Sequence, residues 1–293
     1  METKKIKTQP NKQDSYLPQS ENEWMETNKF NIETVQVYEN QIRCALTKGS
    51  EGTQLTTMVG GIPRDQKRRE NLPLINKLYG HLALKMLSFG ESSLMYNQPA
   101  TGKSTGDWNK ETLQTRAHTL ANLSLHFYEK VKSSNLAIIG TSAGAYMAVK
   151  SLEELQKNNV KVSKLILLSP AAYPEDVEGV PYGEKFSEII RKPWNVADSP
   201  IFQDLRNFVN GGGSVFISFF EDDHATIPTH IQEYYKKFAK ELADSGGKIE
   251  ITTIHGVAHN FRRIGVPENK NVVDNNSVRT TATNLSKFLS KIQ

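Results

Sequence analysis

One alternation narrows the fold more than any other feature. Short, nearly unbroken apolar runs recur between stretches with helical spacing. "SSLMYN" (92–97), "LAIIG" (136–140), "SKLILLSPAA" (163–172), "GSVFISFF" (213–220) and "KIEITTI" (248–254) read as strands. "KETLQTRAHTLANLSLHFYEKV" (110–131), "GAYMAVKSLEELQKN" (144–158), "THIQEYYKKFAKELADSG" (229–246) and "TTATNLSKFLSKI" (280–292) read as helices. Strands that are apolar on both faces need cover on both faces. The expected class is α/β: a mostly parallel central sheet with helices on both sides.

Further elements precede this block. "TVQVY" (34–38) and "IRCALTK" (42–48) flank "ENQ" and predict an antiparallel N-terminal hairpin at one edge of the sheet. "TQLTTMVGGIP" (53–63) predicts a strand, and "LPLINKLYGHLALKMLSF" (72–89) a helix stopped by Gly90. Residues 1–30 are polar without a sustained period and predict a flexible arm, leaving 31–293 as the folded domain. Residues 171–210 are too long for a plain crossover and predict a cap insertion.

Bulk properties exclude several classes. The 293 residues carry 36 Lys+Arg against 32 Asp+Glu, with no basic stripe interleaved with aromatics, so no nucleic-acid partner is expected. The cluster Arg64, Lys67, Arg68, Arg69 reads as a solvated loop. The single cysteine, Cys44, rules out an intrachain disulfide and points to a reducing, cytoplasmic setting. No run approaches the roughly 18 apolar residues of a membrane span. No metal or organic cofactor is implied, and oligomeric state is left open.

"GTSAG" places Ser142 between a strand and a helix, with Gly140 and Gly144 two residues to either side. A serine projected from a sharp strand-to-helix turn needs small neighbours there, because the two backbones come close. Serine is a weak nucleophile and needs a histidine base and a carboxylate, expected in the order Ser, acid, His. "EDDHATIP" follows one later strand and "HGVAHNF" the next. Asp223 is the preferred acid, with Asp222 the alternative and Glu221 third. His259 is preferred to His255, which abuts a turn glycine. The remaining histidines (81, 118, 126, 224 and 230) read as boundary or surface residues.

An acyl-transfer site also needs two N–H donors for the developing oxyanion. Ala143 heads the helix and supplies one. After the third strand, Ile62 supplies the other, with Gly61 the alternative.

These residues resemble the α/β-hydrolases. "GTSAG" looks like their nucleophile elbow, "EDDHATIP" their acid loop and "GVAHNF" their histidine loop, over about residues 32–293. "VGGIP" resembles their His-Gly-x-Pro oxyanion segment, with Gly60 where a histidine is frequent. "YNQPATGKSTGDW" resembles their Asp-x-x-Gly-x-Gly-x-Ser loop, departing at Asn97 and Ala100. The resemblance implies a serine hydrolase cleaving an ester, thioester or amide of a small-molecule acyl substrate. Acyl transfer or a carrier thioesterase would use the same residues; a non-catalytic binder would keep only the pocket. Tyr173, Phe186 and Trp194 are the expected substrate-binding residues, with Tyr182 and Phe202 as further aromatic candidates. Glu175, Asp176 and Glu178 read as a solvated face.

Overall fold

Among the described residues, nine strands form one sheet in the order β1-β2-β4-β3-β5-β6-β7-β8-β9. The computed structural model describes residues 21–63, 65–264 and 273–290. The strands are β1 (Asn31–Val37), β2 (Asn40–Thr47), β3 (Gln54–Val59), β4 (Ser92–Tyr96), β5 (Asn135–Thr141), β6 (Val162–Leu168), β7 (Ser214–Asp222), β8 (Ile249–Ala258) and β9 (Arg262–Arg263). From β4 through β8 every neighbouring pair is parallel. The β1–β2 hairpin is antiparallel and joins β4 antiparallel, as the sequence predicts.

The helices are α1 (Glu21–Glu26), α2 (Gln66–Glu70), α3 (Lys77–Ser88), α4 (Leu113–Lys130), α5 (Ala143–Lys150), α6 (Leu152–Lys157), α7 (Glu184–Arg191), α8 (Pro200–Asn210), α9 (Thr229–Asp244) and α10 (Asn275–Ser290). The apolar runs are explained by two cores. In β5, Leu136 and Ile138 face one core while Ala137 and Ile139 face the other. β6 divides the same way, with Leu165 and Leu167 against Ile166 and Leu168. Helices α4, α5, α8 and α9 cover the first face; α3 and α10 cover the second. Each fully buried Leu or Ile contributes about 1.5–3 kcal/mol, so the double-sided strands hold the layers together.

Several elements differ from expectation. The helix predicted over 72–89 starts only at Lys77, because the Asn76 side chain accepts from the Tyr79 N–H and caps it there. The helix predicted over 144–158 is split at Ser151, whose hydroxyl donates to the Ala148 carbonyl. α8 is no cap element. It buries Ile201, Phe202, Leu205 and Val209 in the first core, so it is the crossover helix between β6 and β7. Phe202 accordingly packs on Tyr234, Tyr235 and Phe238.

The polar N-terminal stretch also differs at its far end. Residues 1–20 lie outside the described residues, but residues 21–30 carry α1 and two buried aromatics, Trp24 and Phe30. Trp24 lies over Gly80 of α3, where a Cβ would come within 2.8 Å of its ring. Sequence periodicity could not show this, because one tryptophan has no period.

Trp24→Ala should therefore cost about 3–5 kcal/mol, the usual loss for an emptied aromatic site. A urea unfolding midpoint left in place would mean that residues 21–30 do not belong to the folded domain.

Candidate active site

Chain order reverses at β3, which has β4 on one side and β5 on the other. A crevice opens at such a switch point beyond the carboxyl ends of the strands. The loop after β3 and the turn after β5 meet there.

Ser142 forms that turn. Its φ of 57° and ψ of −123° put a non-glycine residue in a sparsely populated region. Such strain costs on the order of 1–3 kcal/mol and persists only where neighbours enforce it. Here the Ser142 N–H donates to the Leu168 carbonyl at 2.9 Å, and its carbonyl accepts from Ala145 at 3.0 Å and Ala171 at 3.3 Å. Gly140 and Gly144 are required by contact. A Cβ on Gly140 would lie 2.4 Å from the Ala145 Cα, and one on Gly144 2.5 Å from the Val59 carbonyl. The Tyr79 hydroxyl pins the two strand ends together: it donates to the Val59 carbonyl at 2.9 Å and meets Thr141 Oγ1 at 2.6 Å.

Gly61 runs alongside the serine. A Cβ there would sit 3.1 Å from Ser142 Cβ and 3.5 Å from its Oγ. Among the described residues, the N–H groups of Gly61, Ile62 and Ala143 donate no hydrogen bond. The Ala143 N–H heads α5, where helix geometry leaves it without an intrahelical partner.

The loop is braced from beneath. Gln98 Nε2 donates to the Gly60 carbonyl at 2.7 Å. Gln98 Oε1 in turn accepts from Arg116 Nη1 at 2.9 Å, and Arg116 Nη2 donates to the Pro99 carbonyl at 2.7 Å. Arg116 is fully buried, 3.6 Å from the Glu111 carboxylate. Burial pulls its guanidinium below the ordinary arginine range and raises the Glu111 carboxyl, each partly offset by the other.

The acid and the imidazole converge from two more strand ends. His259 follows β8 directly, because that strand runs on to Ala258 rather than stopping at Ile254. Its Nδ1 lies 2.6 Å from Asp223 Oδ1, and the Asp223 side chain is fully buried. Nδ1 is thus the ring nitrogen that faces the carboxylate. Phe220 stands edge-on to the His259 ring at 5.8 Å between centroids. Asp222, by contrast, is half exposed, with His224 Nε2 4.0 Å away. The Glu221 carboxylate accepts from the Gly256 N–H at 2.6 Å and lies 3.8 Å from His255 Nδ1. Ser142 and His259 line one cavity, with no hydrogen bond joining their side chains among the described residues.

No family model and no curated protein matches the sequence. Solved structures do match in shape. An esterase from Pyrobaculum calidifontis superposes with a TM-score of 0.58 at 16% identity, covering 89% of this chain and 85% of that one. Est1E from Butyrivibrio proteoclasticus gives 0.57 at 11%, covering 88% and 97%. An alpha-beta serine hydrolase homologue from Coxiella burnetii gives 0.53 at 16%, covering 89% and 97%. The chain has the α/β-hydrolase fold.

In this α/β-hydrolase fold the cavity over Ser142 holds about 1740 Å³. Gly61, Ile62 and Ala143 line it, as do the three expected aromatics Tyr173, Phe186 and Trp194. Tyr182 joins them, stacked at 5.1 Å on Trp108, whereas Phe202 does not. Glu178 is not merely solvated: it accepts from the Tyr146 hydroxyl at 2.6 Å and pairs with Lys150 at 3.2 Å. His230 lines the cavity and the exposed His224 does not. Arg64 lies outside the described residues. Among the described residues no helix is long and apolar enough to cross a membrane.

Sequence reading missed Tyr79, Gln98 and Arg116, whose partners are distant along the chain. Tyr79→Phe should leave the Val59 carbonyl and Thr141 hydroxyl short of a partner and cost about 1–3 kcal/mol. A denaturation midpoint equal to wild type would show that the strand ends do not need that bridge.

Proposed function

We propose that this chain is a serine hydrolase that cleaves a carboxylic ester through an acyl-enzyme on Ser142. The Asp223–His259 pair, whose buried carboxylate holds an imidazole lining the same cavity as the strained Ser142, is the observation that carries the reading. The esterase and hydrolase names of the similar structures support it.

The chemistry then follows from the groups present. His259 Nε2 takes the Ser142 proton as Oγ attacks the carbonyl carbon. The Asp223 carboxylate orients the ring and stabilises the imidazolium. The carbonyl oxygen becomes an oxyanion that accepts from the Ala143 and Ile62 N–H groups, with Gly61 the other donor on the same loop. As the tetrahedral adduct collapses, the leaving alkoxide takes the proton from His259. Water, deprotonated by His259, attacks the ester carbonyl of the acyl-enzyme and releases the acid, restoring the serine. This requires Nε2 to come within about 2.6–3.2 Å of the serine hydroxyl in the substrate complex, a bond that commonly tightens only there. Tyr173, Phe186 and Trp194 hold the acyl group. The lone, buried Cys44 fits a cytoplasmic setting.

Ser142→Ala should abolish both p-nitrophenyl butyrate turnover and labelling by a fluorophosphonate. Unchanged turnover would remove Ser142 from the mechanism. Asp223→Asn should lower kcat by about 10⁴, because the imidazole loses its tautomer. Asp222→Asn should fall far short of that loss; a reversed ranking would move the acid to Asp222.

A further inference from the structure

Charge of one sign edges the cavity. Among the described residues, its charged lining residues are Lys67, Arg68, Lys77, Arg191 and Lys192, against Asp65 on the acidic side. The whole chain is nearly balanced, at 36 basic to 32 acidic residues, so the imbalance belongs to this site. That acid is already engaged, because Asp65 Oδ1 accepts from the Arg68 N–H at 2.8 Å and caps α2. Among the described residues, Lys67, Arg68, Arg191 and Lys192 make no ion pair, and all four are exposed.

These cations stand on two separate supports. Lys67 and Arg68 belong to α2, while Arg191 ends α7 and Lys192 follows it. α2 is fixed in place: the Arg69 guanidinium lies 3.7 Å over the Trp108 ring, and the Arg69 carbonyl accepts from the Gly102 N–H at 2.7 Å. Tyr173, Phe186, Ile190 and Trp194 give the same cavity an apolar wall. A small neutral ester would use only that wall. At about 1740 Å³ the cavity exceeds the ordinary range of roughly 300–1,000 Å³ for a small-molecule site. Like charges over low-dielectric walls focus the field and concentrate anions.

We propose that the preferred substrate is an acyl compound bearing a carboxylate or phosphate group away from its scissile carbonyl, held by Lys67 and Arg68 with Arg191 and Lys192. This rests on the serine-hydrolase reading and adds the substrate's charge to it. The anion sits either on the acyl chain or on the leaving group, and the chemistry that recognises it is the same.

Two matched substrate pairs test the proposal and tell these sources apart. p-Nitrophenyl butyrate against the mono-p-nitrophenyl ester of succinic acid places the charge on the acyl chain. S-butyryl pantetheine against S-butyryl 4′-phosphopantetheine places it on the leaving group. In at least one pair the anionic member should have the higher kcat/KM, and raising the salt should shrink that advantage. Joint replacement Lys67→Gln, Arg68→Gln, Arg191→Gln and Lys192→Gln should cut the ratio of anionic to neutral kcat/KM about tenfold, a modest gain from each exposed pair. Lys67→Arg with Arg68→Lys should keep the ratio. Equal rates within both pairs, or a ratio untouched by the glutamine variant, would overturn the proposal while leaving the hydrolase standing. Failure of all four substrates, with no fluorophosphonate labelling of Ser142, would overturn the hydrolase reading and this proposal with it.

Discussion

Three backbones meet with almost no space between them, and the site depends on that contact. The end of β5, the start of α5 and the loop after β3 approach one another only because Gly140 and Gly144 bring no side chains, with Gly61 close beside them. Larger residues at the first two would collide with backbone, which cannot move aside. The same closeness forces Ser142 into positive φ and aims its side chain at the switch point of the sheet. Two apolar cores hold the strands in register, so the strain has a rigid frame to act against.

Two polar assemblies sit on either side of that contact. One is the Asp223–His259 pair, where a buried carboxylate fixes the orientation of the ring. The other is the chain Arg116, Gln98 and the Gly60 carbonyl, which sets the direction of the loop carrying Gly61 and Ile62. Gly60 cannot brace the loop with a side chain of its own. Gln98 supplies the bond from the neighbouring strand end, and a buried arginine holds Gln98.

Much of this was legible in the sequence, for identifiable reasons. The inner strands were plain because both faces of β5 and β6 are buried, which writes a continuous apolar run. Ser142, Asp223 and His259 stood out by order and by position after strands. The choice between Asp222 and Asp223 did not, because the β7–β8 register shifts between Phe220 and Asp222 and breaks the alternation that parity would use. α8 was misread because proline-rich chain precedes it. Tyr79, Gln98 and Arg116 were invisible because their roles are contacts across 17 to 62 residues of chain.

The segment carrying Tyr173, Phe186 and Trp194, the roof of the cavity, is also fastened to its floor, the start of α4. The Tyr182 N–H donates to the Glu111 carbonyl at 3.0 Å, and the Gln114 N–H to the Glu178 carbonyl at 3.1 Å. The Tyr182 ring lies 5.2 Å from the same Arg116 guanidinium that holds Gln98. Roof and floor are therefore one mechanical unit. Lifting the roof as a hinged flap would strip hydrogen bonds beside Arg116 and slacken the loop it steadies.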